Sequence, residues 1–196
     1  MTFIDFLSLF LPLFVAMDPL GVLPAFIQMT SDLSHARRQK VVNGSILIAG
    51  VVGLLFIPLG PMVLSALGLK TGDFQLAGGL LVLVVALRDV VWDQKMFAME
   101  EGADTGVGIV PIGIPLLVGP AVFATLILLS DRFSWAGIAG SLLLNLLISW
   151  AIFRKSSWLM EWMGFTGTKV VSKLAALLLA AYAVMMIRVG FTALMK

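Results

Sequence analysis

The sequence predicts an all-α integral membrane protein, and its composition and the length of its apolar stretches are the observations that predict it. Hydrophobic residues make up 60% of the 196 residues and charged residues 12%, whereas about a quarter of a soluble domain is charged. That length accommodates about six spans of roughly 20 residues with short connections. We therefore expect residues 1–196 to form a single transmembrane domain whose function resides inside the helix bundle.

Several classes of protein are excluded or disfavoured by the same composition. The chain has no cysteine, so it can form neither a disulfide nor a thiolate site. A net charge of +2 is too small to indicate nucleic-acid binding. The first apolar stretch is preceded by Asp5 and by no basic residue, so we expect it to be retained rather than cleaved as a signal peptide. The single histidine, His35, lies in a predicted loop, and we expect no metal site and no cofactor.

Six apolar stretches are predicted to cross the membrane as helices. Their periodicity is weak because most faces meet lipid or another apolar helix, so length is the better indication. The longest polar connection, residues 92–106, divides the chain into halves of three spans each. The six predicted spans cover about 3–28, 41–67, 73–91, 107–130, 135–153 and 170–194.

The distribution of Lys and Arg predicts the orientation in the cell inner membrane. Nine of them fall on one side of the predicted bundle and four on the other, and the positive-inside rule assigns the nine to the cytoplasm and both termini to the outside. The nine are Arg37, Arg38, Lys40, Arg88, Lys95, Arg154, Lys155, Lys169 and Lys173, and the four are Lys70, Arg132, Arg188 and Lys196.

The two halves resemble each other. Because each half holds three spans, an odd number, the second half would be inverted relative to the first, giving a 3+3 inverted repeat of about 3–91 and about 107–194. The spacings that suggest it are 101 residues between Pro19 and Pro120, 102 between Asn43 and Asn145, and 100 between Arg88 and Arg188.

Two of the predicted spans are interrupted in their middle. Asp18-Pro19 interrupts the first span and Gly119-Pro120 the fourth. Asp is a favoured N-cap and Pro a favoured first helical residue, so each pair predicts a new half-helix that starts inside the membrane. A charge at that depth costs roughly 3 kcal/mol on the insertion scale. Such a cost indicates a binding site, although a capped kink without a ligand is the alternative.

Broken helices in the membrane present unpaired peptide groups, which suit a zwitterionic ligand. Amides around Gly119, Ala121 and Val122 could hold a carboxylate, while Asp18 and nearby carbonyls could hold an ammonium group or a coupling proton or sodium ion. We therefore predict a small neutral amino acid as the partner besides the lipid bilayer. The candidate substrate-binding residues are Asp18, Pro19, Gly21, Asn43, Gly119, Pro120, Ala121 and Asn145, with Gly113 leaving room for close approach.

Other interpretations stay open for some of these residues. Asn43 and Asn145 are equally compatible with hydrogen bonding between helices. Gly78-Gly79 in the third span is interpreted as a close helix contact, and Arg88-Asp89 as an ion pair at the membrane interface.

The motifs resemble those of the MarC-related family of inner-membrane proteins, which includes the SnatA-type neutral amino-acid transporters. The matching pieces are Met17-Asp18-Pro19-Leu20-Gly21-Val22-Leu23-Pro24, Ala77-Gly78-Gly79 and Pro115-Leu116-Leu117-Val118-Gly119-Pro120-Ala121. The resemblance spans essentially the whole chain. It implies a six-helix, 3+3 protein that moves small neutral amino acids such as glycine or alanine, coupled to an ion gradient.

An ion channel and an enzyme are the two further classes of function that compete with a secondary transporter. An ion channel would place both breaks along a pore, but the second break carries no acid for a cation filter. An enzyme is disfavoured because the spans contain no His, no Cys and no paired carboxylates. Efflux of other small metabolites or drugs by the same fold is the nearest alternative. The direction of transport, the coupling ion and the oligomeric state are not decided by the sequence.

Overall fold

The computed structural model describes residues 3–30, 33–91 and 117–195, and these are helical apart from short turns. The prediction of an all-α protein is confirmed for these residues. The helices are α1 (Phe3–Met17), α2 (Pro19–Met29), α3 (His35–Ala66), α4 (Thr71–Val91), α5 (Pro120–Ser130), α6 (Trp135–Arg154) and α7 (Ser156–Leu194).

Four helical stretches in these residues are long and apolar enough to cross a membrane, and two shorter helices are also apolar. Each overlaps one of the predicted spans. The first part of the fourth predicted span, residues 107–116, lies outside the described residues, so the count of six spans stays a prediction. The four long stretches are Ile4–Leu23, His35–Ala66, Trp135–Arg154 and Lys173–Leu194, and the two shorter ones are Thr71–Leu87 and Pro120–Ser130.

Two helices begin before the apolar spans predicted for them. The second span was predicted from residue 41, but α3 begins at His35, so its basic first turns extend beyond the apolar stretch. The sixth was predicted from residue 170, but α7 is helical from Ser156 and bends at Gly164, which has a φ of 66° and a ψ of 173°. Apolar length alone therefore misplaces helix ends that lie in the polar interface.

The turn between α3 and α4 is built around Gly68. Gly68 has a φ of 70°, a left-handed conformation that costs glycine little. Its N–H donates to the Ser65 carbonyl, and the N–H of Leu69 donates to the Leu64 carbonyl, which is the Schellman pattern. Asp73 then accepts from the Lys70 N–H at 2.8 Å and caps α4. The turn is therefore held by local hydrogen bonds at both of its helices.

Glycines allow α4 and α7 to pack at close range. A Cβ at Gly190 would lie 2.6 Å from the backbone nitrogen of Leu76, and one at Gly79 would lie 2.8 Å from Ile187 Cγ1. A Cβ at Gly78 would lie 2.7 Å from the Ala124 Cβ on α5. The interpretation of Gly78-Gly79 as a close helix contact is confirmed.

The buried side chains form two clusters. The main cluster joins α1, α2, α3, α5 and α6 and contains large side chains such as Phe26, Phe153 and Leu13. The second cluster joins α4 to α7 and consists of Val82, Ala86, Leu179 and Ala183. The α4–α7 pair thus has a small core of its own beside the core of the other helices.

Hydrogen bonds define the two ends of the bundle. At one end, here called the Arg38 end, the Arg38 guanidinium donates to the Ser157 hydroxyl at 2.8 Å and to the Thr30 carbonyl at 3.0 Å. At the other, the Lys70 end, the Thr71 hydroxyl donates to the Asp131 carboxylate. Partial burial raises the pKa of Asp131 above its ordinary value, and the hydrogen bond from Thr71 and the charge of Arg132 only partly oppose this.

Candidate functional site

Asp18 separates α1 from α2 and caps the second helix. It has a φ of 42°, in the left-handed region that Asp tolerates better than most residues. Its Oδ1 accepts from the Gly21 N–H at 2.9 Å, and Pro19 is the first residue of α2. These are the bonds of an N-cap, so the predicted half-helix start is confirmed in its geometry.

Gly21 is required by this cap. A Cβ at Gly21 would lie 2.7 Å from Asp18 Oδ1 and closer still to Oδ2. Only a hydrogen at that position lets the carboxylate reach the amide of α2. The Asp-Pro-x-Gly sequence therefore specifies one local structure. Asp18 caps α2, Pro19 is its first residue, and Gly21 leaves room for the Asp18 carboxylate.

Gly119 and Pro120 start α5 in the same way but without a capping side chain. Gly119 is extended, with a φ of −115° and a ψ of −165°, and its carbonyl accepts from the Phe123 N–H at 3.0 Å. The first amides of a helix have no intrahelical acceptor. At α5 these are the N–H groups of Ala121 and Val122, since proline has none, and no side chain caps this end within the described part of the chain.

The two half-helices have the same length and end at opposite ends of the bundle. Both α2 and α5 contain 11 residues, which corresponds to about 16 Å, half of a hydrocarbon core of about 30 Å. The last residues of α2 lead to Thr30 at the Arg38 end, and those of α5 lead to Asp131 at the Lys70 end. The two half-helices therefore run in opposite directions along the bundle.

The residues beside both starts are buried in one core. Met17 and Val118, which immediately precede the two capping positions, are 1% and 0% exposed and belong to the main cluster. Val22 and Val122 of the two first turns belong to it as well. Pro120, in contrast, is exposed. The two starts thus share one set of packing partners.

Comparisons with known proteins show the family of the chain. A family model described as MarC family integral membrane protein matches residues 3–195. The chain belongs to the MarC family. Its resemblance to the family's motifs is thereby confirmed, whereas the SnatA-type subgroup stays a prediction.

Several relatives of this MarC protein match over almost their whole length. UPF0056 membrane protein YhcE of Escherichia coli K12 is 29% identical, with 96% of this chain and 94% of that protein aligned. UPF0056 inner membrane protein YhgN of the same organism is 30% identical, with 94% of each aligned. UPF0056 membrane protein BU449 of Buchnera aphidicola is 31% identical, with 98% of each aligned. No solved structure matches the chain.

The two asparagines predicted for the site of this MarC protein form hydrogen bonds between helices. The buried Asn145 on α6 donates to the Phe10 carbonyl on α1 at 3.3 Å and to the Ser141 carbonyl at 2.9 Å. Asn43 is exposed on α3 and accepts from Trp150 Nε1 at 2.8 Å. The alternative of interhelical bonding is confirmed for both, and a role of either in binding stays a prediction.

Three predicted features fall where the structure gives no description. Gly113 lies outside the described residues, and the side chains of Arg88 and Asp89 lie beyond the last described side chain of α4. Within the described residues no three His, Cys, Asp or Glu side chains cluster in a way that could hold a metal ion. The expectation that the MarC protein has no metal site and no cofactor stays a prediction.

Two polar residues beside the second half-helix were not predicted from the sequence. The Thr125 hydroxyl donates to the Ala121 carbonyl at 2.8 Å and lies 3.0 Å from the Tyr182 hydroxyl on α7. Since the Thr125 hydroxyl proton is donated to the Ala121 carbonyl, the Tyr182 hydroxyl donates to the Thr125 oxygen. Tyr182 is the single tyrosine of the chain, and its presence in an apolar helix is the one feature of the sequence that could have indicated a role. This bond ties the first turns of α5 to the α4–α7 pair.

Proposed function

We propose that this MarC protein is a secondary transporter that moves small neutral amino acids across the inner membrane by alternating access, coupled to a proton or sodium gradient. The observation that carries the proposal is the pair of half-helices, α2 and α5, which run in opposite directions and share one core. Their starts are expected near the middle of the membrane. Discontinuous helices of this kind bind anionic substrate groups and ions in transporters.

The two half-helix starts differ in a way that suits a carboxylate ligand. The N-terminus of α2 already holds a carboxylate, that of Asp18. The N-terminus of α5 has Gly119 at the equivalent position and no capping side chain among the described residues. Its partial positive charge and its first amides are complementary to an anion. A substrate carboxylate would do at α5 what Asp18 does at α2.

The negative charge of Asp18 suits the other end of an amino acid. An ammonium group near this carboxylate would gain a charge-assisted interaction in a low-dielectric site. The last carbonyls of α1, at Ala16 and Met17, end a helix and carry its partial negative charge. A ligand with an anion at α5 and a cation at α1 is a zwitterion, which favours an amino acid over a simple anion or cation. The buried apolar side chains around both starts favour a small uncharged side chain.

The packing of the described helices supports an inverted repeat. A two-fold axis in the membrane plane would exchange α3 with α6, α4 with α7, and α2 with α5. Consistent with this, α3 packs on α6 and α4 packs on α7. The contact of α2 with α6 has a counterpart in that of α5 with α3, and the contact of α2 with α7 has one in that of α5 with α4.

The two core clusters supply bodies that could move against each other. Ala121, in the first turn of α5, packs against both the main cluster and the second cluster. Val15 of α1 packs against the second cluster as well. The two half-helix starts therefore adjoin the boundary between the α4–α7 pair and the remaining helices. Rocking of one body against the other would expose that boundary to either side in turn.

Transport by purified protein in proteoliposomes tests the proposal. Wild type is expected to show saturable uptake and counterflow of labelled glycine or alanine. Asp18→Asn is expected to fold but to lose transport or its ion coupling, whereas Leu20→Ala, its neighbour, should have a mild effect. Equal transport by wild type and Asp18→Asn would refute the role of the carboxylate. Conductance without saturation or counterflow would favour a channel.

A further inference from the structure

A groove of about 430 Å³ lies on the outer face of the bundle between α3 and α6. It extends from Ile46 to Leu54 along α3, about 12 Å at 1.5 Å per residue. All of its walls are apolar or aromatic, and Leu47, Val51 and Leu147 beside it are half or more exposed. The residues that line it include Ile46, Gly50 and Leu54 on α3 and Leu143, Leu147 and Trp150 on α6.

The end of this groove that faces the Arg38 end of the bundle is cationic. Trp150 closes the groove there, held by its hydrogen bond to Asn43. The Arg154 guanidinium lies over the Trp150 ring, 4.8 Å from its centroid. Lys40 is exposed one turn before Asn43, on the same face of α3. Each wall of the groove therefore contributes one basic side chain to its mouth.

No carboxylate on the two helices neutralises these charges. Neither His35–Ala66 nor Trp135–Arg154 contains an aspartate or a glutamate. The mouth lies at the end of the bundle where basic residues accumulate, which the positive-inside rule assigns to the cytoplasm. The cytoplasmic leaflet is the one that carries a negative surface potential.

We propose that this groove binds one anionic phospholipid, with an acyl chain along the apolar walls and the phosphate between Lys40 and Arg154. A lipid satisfies both observations, since it is apolar over the length of the groove and anionic at its mouth. A second copy of the chain satisfies only one, because a two-fold interface centred here would bring the same basic side chains together without acids to pair them. The inference is independent of what the protein transports.

Lipid binding to the purified protein in a neutral detergent tests the inference. Native mass spectrometry and thermal unfolding would compare phosphatidylglycerol with phosphatidylcholine. Two lysine or arginine contacts predict a preference of about thirtyfold for phosphatidylglycerol. The variant carrying Lys40→Gln and Arg154→Gln should lose this preference, Arg154→Lys should keep it, and Lys155→Gln, next to the site, should also keep it.

A second pair of variants tests the groove itself. Leu147→Trp should fill it and weaken the binding of both lipids, whereas Leu55→Trp, an exposed α3 position outside the lining, should not. The inference is overturned if the double glutamine variant keeps the preference, if Lys155→Gln removes it equally, or if Leu147→Trp and Leu55→Trp act alike. A dimer that Leu147→Trp dissociates would assign the groove to a second copy, which also overturns it.

Discussion

Replacement of Asp18 by alanine should destabilise the protein far more than replacement by asparagine. The side chain of Asp18 accepts from the Gly21 N–H at 2.9 Å, and loss of an N-cap of this kind costs about 1 kcal/mol. Its φ of 42° adds a second cost, since the left-handed conformation disfavours alanine by about 1–2 kcal/mol. Asp18→Ala should therefore lower the free energy of unfolding by about 2–3 kcal/mol.

The matched variants separate the two contributions. Asparagine keeps both the cap and the tolerance of positive φ, so Asp18→Asn should unfold close to wild type. Glycine keeps only the conformation, so Asp18→Gly should cost about 1 kcal/mol or less. Unfolding followed by circular dichroism in detergent micelles should rank the variants, from most to least stable, as asparagine, glycine and alanine. If alanine is as stable as asparagine, the cap and the left-handed backbone do not hold the break. If Asp18→Asn unfolds as easily as Asp18→Ala, its loss of transport would reflect loss of the fold and not loss of the carboxylate charge.

Three further outcomes follow from packing, hydrogen bonding and ionisation elsewhere. Gly190→Ala should lower the free energy of unfolding by about 1–3 kcal/mol, because its Cβ would meet the backbone of α4. Gly140→Ala on α6 should be neutral or stabilising, because no atom lies within 4 Å of the added Cβ. Equal effects of the two variants in an unfolding titration would contradict this. Thr125→Val should lower the free energy of unfolding by about 1 kcal/mol more than Tyr182→Phe, since the valine leaves the Tyr182 hydroxyl without an acceptor. The phenylalanine leaves Thr125 bonded to the Ala121 carbonyl of its own helix. The reverse order of unfolding midpoints would be inconsistent with Tyr182 as the donor. Asp131→Asn should raise stability at pH 7, because a raised pKa means that the ionised carboxylate disfavours folding. That gain should vanish as the pH falls through the raised pKa towards 4, and a gain independent of pH would disprove its origin in ionisation.

The sequence was sufficient to predict the features that local chemistry determines. The Asp18 cap and the Gly68 turn depend on residues a few positions apart, so their sequences specify them almost completely. The start of α5 at Pro120 was predicted for the same reason, since proline is favoured as the first residue of a helix. Apolar length located the spans, but it does not show that α3 and α7 begin in the polar residues before them.

Contacts between distant helices could not be predicted in the same way. Asn43 and Asn145, although spaced like a repeat, differ in burial and in partners, because one faces outward and the other faces α1. The bond between Thr125 and Tyr182 joins residues 57 positions apart, and nothing in either helix indicates the other. Such contacts depend on the packing of several apolar faces, each of which fits lipid nearly as well as another helix.

Access of water to the first turn of α5 is the most direct test of a substrate site between the two half-helices. The chain contains no cysteine, so Ala121→Cys would be the sole thiol in the protein. A membrane-impermeant thiol reagent should label this cysteine from either side of the membrane, and glycine or alanine should slow the labelling. Leu55→Cys, on the exposed face of α3, should stay unlabelled. A cysteine at position 121 that reacts from neither side, or at a rate that no amino acid changes, would contradict a substrate site between the half-helices.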